Sequence, residues 1–185
     1  MLYKGQSEYE LEVAGLKRRL PVVKVGENLW IASFVMLGDV QLNNICGAAL
    51  AAEIMNFDCD ILVGPEAKVL PLLQVMATFL GHLTYVVCRK SVKAYMENPL
   101  IVSTRSITTT SAQELVLDGL DVEKVCGRRV AIVDDVVSTG GSINAVEELI
   151  LQAGGKVVCR AAVLKEGEKY NKDLIYLGRL PVFTR

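Results

Sequence analysis

Four short apolar runs rich in Val and Ile, at residues 61–63, 84–88, 129–133 and 157–164, constrain this chain more than any other feature. Unbroken rather than alternating hydrophobicity marks strands covered on both faces. Between the runs lie stretches of helical periodicity, 43–57, 69–80 and 143–153, the last stopped by Gly154 and Gly155. Strands that alternate with helices return by right-handed crossovers and lie parallel. The expected class is therefore α/β, a Rossmann-like parallel sheet flanked by helices. With 185 residues and 51% hydrophobic content, one domain with one buried core accounts for the whole chain.

The ends differ from this middle. Residues 20–25 and 29–37 read as two strands turning at Gly26, Glu27 and Asn28. They predict a small N-terminal hood over about 1–40, before a core of about 41–165 and a C-terminal segment, 166–185. Residues 91–117, with Pro99, a Ser/Thr cluster and alternation over 100–107, predict a long loop running into a ribbon. Such excursions from compact domains often serve as mobile lids.

Several functions are disfavoured by composition. Twenty basic against twenty-one acidic residues leave a net charge of −1, without the basic excess of a nucleic-acid surface. Five widely spaced cysteines without a CxxC pair read as reduced core residues, and His82 is the only histidine, so a zinc site or histidine triad lacks raw material. Residues 1–24 carry no apolar signal-peptide core, and the apolar stretch 69–87 is interrupted by Pro71, Gln74, Gly81, His82 and Thr84. A cytoplasmic protein with no membrane span is expected.

The chemistry concentrates in residues 130–142. A buried strand ends in Asp134-Asp135, followed by Val136, Val137, Ser138, Thr139, Gly140, Gly141, Ser142 and a helix. In open parallel sheets, ligands sit beyond the carboxyl ends of the strands, where this pair falls. The loop offers successive backbone N–H groups, glycines that permit close approach, three hydroxyls and a helix N-terminus, a cradle suited to a phosphate dianion. Two adjacent carboxylates would repel that anion unless another group needs them, and vicinal ribose hydroxyls can donate to both. Negative charge beneath the sugar also favours a transition state in which C1 becomes cationic. The bland alternative is a strand end whose aspartates only cap a turn. No Walker lysine follows the glycines, which argues against a P-loop hydrolase.

Val130 to Ser142, VAIVDDVVSTGGS, closely resembles the phosphoribosyl-pyrophosphate signature of type I phosphoribosyltransferases, particularly the adenine and xanthine enzymes. The resemblance implies that Asp134 and Asp135 hold the ribose hydroxyls, acting in binding and catalysis, while the loop through Val136, Val137, Ser138, Thr139, Gly140, Gly141 and Ser142 binds the 5-phosphate. Val63-Gly64-Pro65-Glu66-Ala67-Lys68 looks like the family's pyrophosphate loop, which often contains a non-proline cis peptide; this implies pyrophosphate contacts at Glu66, Ala67 and Lys68. Arg89-Lys90, helped by Lys93, resembles the basic pair preceding the mobile catalytic loop. Lys165 and Glu166 occupy a region where purine enzymes contact the base edge, though a solvated strand end is equally open. Trp30, Tyr176, Leu177 and Phe183 offer either an apolar face to a base or core packing.

The chain departs from the pattern at one place. Adenine enzymes typically carry an acidic residue near the position of Ile107 or Thr108, and hypoxanthine-guanine enzymes an aspartate where Ser138 stands; Glu114 is the nearest loop carboxylate. The general acid or base is therefore unassigned. The resemblance implies a purine phosphoribosyltransferase that uses phosphoribosyl pyrophosphate and substrate-bound Mg²⁺, with Asp134 and Asp135 as candidate metal contacts, in a homodimer. Adenine is the preferred base, xanthine the runner-up, and a non-catalytic sensor of phosphoribosyl pyrophosphate the rival from another class.

Overall fold

A computed structural model describes residues 1–104 and 113–185. Five strands make its centre: β4 (Ile61–Pro65), β5 (Val86–Cys88), β8 (Arg129–Val137), β9 (Lys156–Glu166) and β10 (Ile175–Leu180). They form one parallel sheet in the order β10-β9-β8-β4-β5. Helices α1 (Val40–Ile54) and α2 (Leu70–Leu80) cover one face, where Leu50, Leu72 and Met76 pack with Leu62, Ala131 and Val133. Helix α4 (Gly141–Gln152) covers the other, where Ile143, Val146 and Leu149 meet Val63, Val130 and Ile132. The unalternating apolar runs are thus explained: β4 is buried at every position because neither face of its sheet is left to water.

Element ends shift from the sequence reading for identifiable reasons. Helix α1 starts at Val40, ahead of the predicted Asn43, because Asp39 caps it by accepting a 3.0 Å hydrogen bond from the Leu42 N–H, and its last turn tightens into a 3₁₀ segment, Met55–Phe57. The predicted strand 29–37 stops at Ala32, after which the chain turns into that cap.

The hood comprises β1 (Glu8–Val13), β2 (Leu16–Gly26), β3 (Leu29–Ala32) and β11 (Val182–Thr184), joined as a four-stranded antiparallel sheet in the order β1-β2-β3-β11. The C-terminal segment is therefore divided: β10 extends the core sheet, while β11 crosses to the hood and buries Phe183 there. Trp30 stacks on Tyr3 with ring centroids 4.2 Å apart, so it packs within the hood. The predicted ribbon is a hairpin of β6 (Leu100–Thr104) and β7 (Gln113–Leu117), which sequence periodicity gave only in part; a short helix, α3 (Gly119–Val125), leads from it to β8. No helix among the described residues is long and apolar enough to cross a membrane.

Candidate active site

Strand β8 is the axis of the site. It pairs with β4 only through Val63 and Ile132, but stays with β9 as far as Val137 and Lys165. Beyond Val63, β4 turns to β5, with Gly64 opposite Val87 and Pro65 opposite Cys88. The two neighbours separate where the connections leave in opposite directions, the topological switch point at which open α/β sheets bind ligands. Sequence reading ends the strand at the aspartates, whereas continued pairing with β9 carries it through Val137. Asp134 and Asp135 therefore stand on a strand, rigidly held, and both are buried.

A cleft of about 220 Å³ opens there, lined by Pro65, Glu66, Ala67, Lys68, Lys90, Leu115, Asp134, Asp135, Val136 and Ser142. The structure thus brings together three segments singled out from sequence and far apart along the chain. Lys68 Nζ lies 2.8 Å from Asp135 Oδ2, and the Asp135 N–H donates to Asp134 Oδ1 at 2.9 Å. Burial, then the charge of Asp135, pushes the Asp134 carboxyl well above the ordinary carboxylate range; the backbone hydrogen bond and Lys68 act in the opposite sense. Two buried carboxylates side by side favour a ligand that brings hydrogen-bond donors to them, as the hydroxyls of a sugar would.

The pyrophosphate-like loop is latched to the basic pair. Glu66 Oε2 pairs with Arg89 Nε at 2.7 Å, Glu66 Oε1 accepts from the Lys90 N–H at 2.7 Å, and the Glu66 N–H donates to the Cys88 carbonyl at 2.9 Å. The Glu66–Ala67 peptide is cis, as the resemblance implies for this loop. Arg89 also exchanges two backbone hydrogen bonds with Val116, at 2.8 and 2.7 Å, which docks the β6–β7 hairpin beside the cleft. None of these partners is near in sequence, so no local signal announces them.

At the other end, Gly140 adopts φ +87°, and α4 begins at Gly141 with no side chain among the described residues capping its first turn. Its leading N–H groups are consequently available to an anion. Gly141 has open space on its side-chain face and Ser142 borders the cleft. Burial raises the Glu166 carboxyl at the end of β9, while Ser138 and Lys68 lower it. Lys165 is largely covered and reaches Glu168 at 4.0 Å.

Other sequence candidates stand apart. Lys93 donates to Ser91 Oγ at 2.6 Å and does not line the cleft among the described residues. Tyr176, on β10, accepts a 2.7 Å hydrogen bond from Arg179, and Leu177 packs against the core. Glu114 is exposed on β7. Ile107 and Thr108 lie outside the described residues, and the predicted loop 91–117 is described only through Thr104 and from Gln113.

Residues 41–181 match the model of the phosphoribosyl transferase domain family. The chain belongs to this family. It resembles an adenine phosphoribosyltransferase of Clostridium novyi, with 34% identity over 126 residues, 66% of this chain and 68% of the relative. A hypoxanthine/guanine phosphoribosyltransferase of Methanocella paludicola is 32% identical over 121 residues, 64% of this chain but only 59% of that protein's length. Among solved structures, adenine phosphoribosyltransferase from Thermoanaerobacter pseudethanolicus superposes with a TM-score of 0.66 at 25% identity, covering 76% of this chain and 82% of that one. The type I phosphoribosyltransferase family, a family of pentosyl-transferring enzymes, and the α/β class are thus as the sequence implied, and the relatives named here are purine enzymes.

Proposed function

We propose that this chain transfers the phosphoribosyl group of phosphoribosyl pyrophosphate to a nitrogen of a purine base, giving a nucleoside monophosphate and pyrophosphate. The observation that carries the reading is the buried Asp134-Asp135 pair between an uncapped helix N-terminus and Lys68. In this reading the 5-phosphate rests on the N–H groups from Ser138 to Ser142, and the two ribose hydroxyls donate to Asp134 and Asp135. Lys68, Arg89 and Lys90, with Lys93, neutralise the pyrophosphate as it departs. Glu66, itself an anion, serves by holding Arg89 and the Lys90 amide, and Ala67 lets the backbone approach the leaving group. As the C1–oxygen bond lengthens, the aspartates stabilise the cationic sugar until the base attacks it.

Magnesium fits this donor set as a passenger of the substrate. The cleft offers adjacent carboxylate oxygens, and no group of three or more His, Cys, Asp or Glu side chains among the described residues forms a cage. One or two carboxylates plus substrate phosphates is a usual magnesium environment, with Asp134 and Asp135 as the protein's contribution. When bound, the ion would neutralise charge on the leaving pyrophosphate.

Adenine is the preferred base, with xanthine the alternative and Lys165 and Glu166 at the base edge. Curated relatives named for adenine and for hypoxanthine/guanine match comparably, so the choice rests on the loop motifs. A soluble cytoplasmic homodimer completes the reading. Protein, Mg²⁺ and phosphoribosyl pyrophosphate mixed with each purine in turn should release pyrophosphate with one of them, adenine first. Thermal stabilisation by phosphoribosyl pyrophosphate without release from any base would replace the enzyme with a ligand sensor, a reading favoured by the lack of a titratable side chain at Ile107 and Thr108.

A further inference from the structure

The connection between β9 and β10, residues 167–174, is polar, yet Tyr170 within it is only 2% exposed. Its ring lies against the face of Gly140 where a side chain would project: a Cβ there would stand 2.3 Å from Cδ2 and 2.6 Å from Cε2. Gly140 is the residue whose left-handed φ of +87° aims the chain into α4, and its carbonyl accepts the 2.9 Å hydrogen bond from the Asn144 N–H that starts the helix. The same connection is tied to α4 by charge. Glu147 on α4 binds the Arg160 guanidinium of β9 through two hydrogen bonds and accepts from Lys172 Nζ at 3.0 Å. The Tyr170 hydroxyl has no hydrogen-bond partner among the described residues, so packing of the ring is what fixes it.

We propose that Tyr170 is a positioning residue for the 5-phosphate: its ring is the floor beneath Gly140, and residues 167–174 act as a strap that holds the phosphate loop in its binding shape. This rests on the phosphoribosyl reading of the site. A bulky, rigid surface under a glycine restricts where that glycine can move, so the N–H groups of the loop are oriented before the ligand arrives. A strap acting this way affects the phosphate end of the cleft and not the pyrophosphate end, because Lys68, Arg89 and Lys90 belong to other connections.

The test is calorimetric titration of the wild-type chain, Tyr170→Leu and Tyr170→Phe with ribose 5-phosphate and, separately, with pyrophosphate, each protein first shown to be folded by circular dichroism. Tyr170→Leu should bind ribose 5-phosphate about tenfold or more weakly, the fold-change of one charge-assisted hydrogen bond, with pyrophosphate affinity unchanged. Tyr170→Phe keeps the ring and should bind both like the wild type. Unchanged ribose 5-phosphate affinity in Tyr170→Leu, parallel loss of both ligands, or equal weakening in Tyr170→Phe would each overturn the proposal. Should Tyr170→Leu not fold, the exposed change Lys172→Ala loosens the same strap and decides the matter: roughly twofold weaker ribose 5-phosphate binding alone supports it, and no selective change rejects it. A wild-type protein that binds pyrophosphate but not ribose 5-phosphate would overturn the reading of the site itself, and the strap with it.

Discussion

Replacing Asp134 by Asn should stabilise the unliganded protein while impairing it as a ligand-binding one. The isosteric amide keeps Oδ1 in place to accept the 2.9 Å hydrogen bond from the Asp135 N–H, and it removes one charge from a buried pair of carboxylates. Burial and Asp135 raise the Asp134 carboxyl above its ordinary 3.8. A carboxyl raised on folding contributes stability that is complete below the unfolded value and is lost as pH rises through the folded one. The wild type therefore loses this contribution toward alkaline pH, whereas the amide of the variant cannot titrate. Relief of a charge held for function is typically worth about 0.5–2 kcal/mol. For a chain of this size each kcal/mol moves the midpoint by roughly 2–4 °C, so Asp134→Asn should melt about 1–8 °C higher at around pH 8. The gap should close toward about pH 4, where the wild-type carboxyl takes up its proton in the unfolded state as well. Paired thermal melts across that range read the difference directly, since the other titrating groups are common to both proteins. Asp135→Asn should show no such gain, because it takes the partner from Lys68; that ion pair is half open to solvent on the lysine side, and its loss should cost less than about 1 kcal/mol. Both variants should bind ribose 5-phosphate about tenfold or more weakly. An Asp134→Asn protein less stable than wild type at around pH 8, or a gap that does not vary with pH, would refute the account of a strained carboxylate pair.

Three further perturbations probe the frame around the site. Gly64→Ala would place a Cβ 2.6 Å from the Val133 carbonyl and 3.0 and 3.1 Å from Val69 and Leu73, so it should cost about 1–3 kcal/mol and lower the midpoint by roughly 2–12 °C; an unchanged melt would show that β4 and β8 can part freely. Glu147, held below the usual carboxylate range first by Arg160 and then by Lys172, contributes stability above its ordinary value that is lost as pH falls through the lowered one; Glu147→Gln should cost about 1–2 kcal/mol near neutral pH, with a deficit that shrinks below about pH 4 in urea titrations, and a deficit independent of pH would rule out the charge as its source. Glu66→Ala removes a negative charge from an anion site yet should weaken pyrophosphate binding by roughly two- to fivefold, because Arg89 and the Lys90 amide lose their anchor; tighter binding by calorimetry would show that Glu66 merely repels.

The parallel core was legible because β4, β8 and β9 are covered on both faces, which leaves an unbroken apolar signature, and α2 and α4 carry clear one-sided periodicity. The phosphate loop was legible because its strand, carboxylates, glycines and helix are consecutive in the chain. What escaped is what depends on distant partners or too few residues. Helix α3 has seven residues, too few turns to show a period. Strand β11 has three, and nothing local says that Phe183 packs in the hood instead of the core. Strand β1, with Leu11 and Val13 buried between exposed glutamates, did carry a readable alternation that the charge of the N-terminus obscured. Tyr170 sits in a run of Gly, Glu, Lys and Asn, where an aromatic gives no periodic cue, and only folding reveals that it lies under Gly140.

The bond from Glu66 to Arg89 and the Lys90 amide makes two cationic connections of the sheet into one exchangeable part. Anyone grafting the 63–68 turn onto a related scaffold without the matching pair after β5 would import a carboxylate with nothing to neutralise it, aimed at the very anion the graft was meant to capture. Inheritance faces the same constraint as engineering: Glu66 and Arg89, the side chains of that latch, depend on each other, whereas the Lys90 amide asks nothing of the side chain it carries.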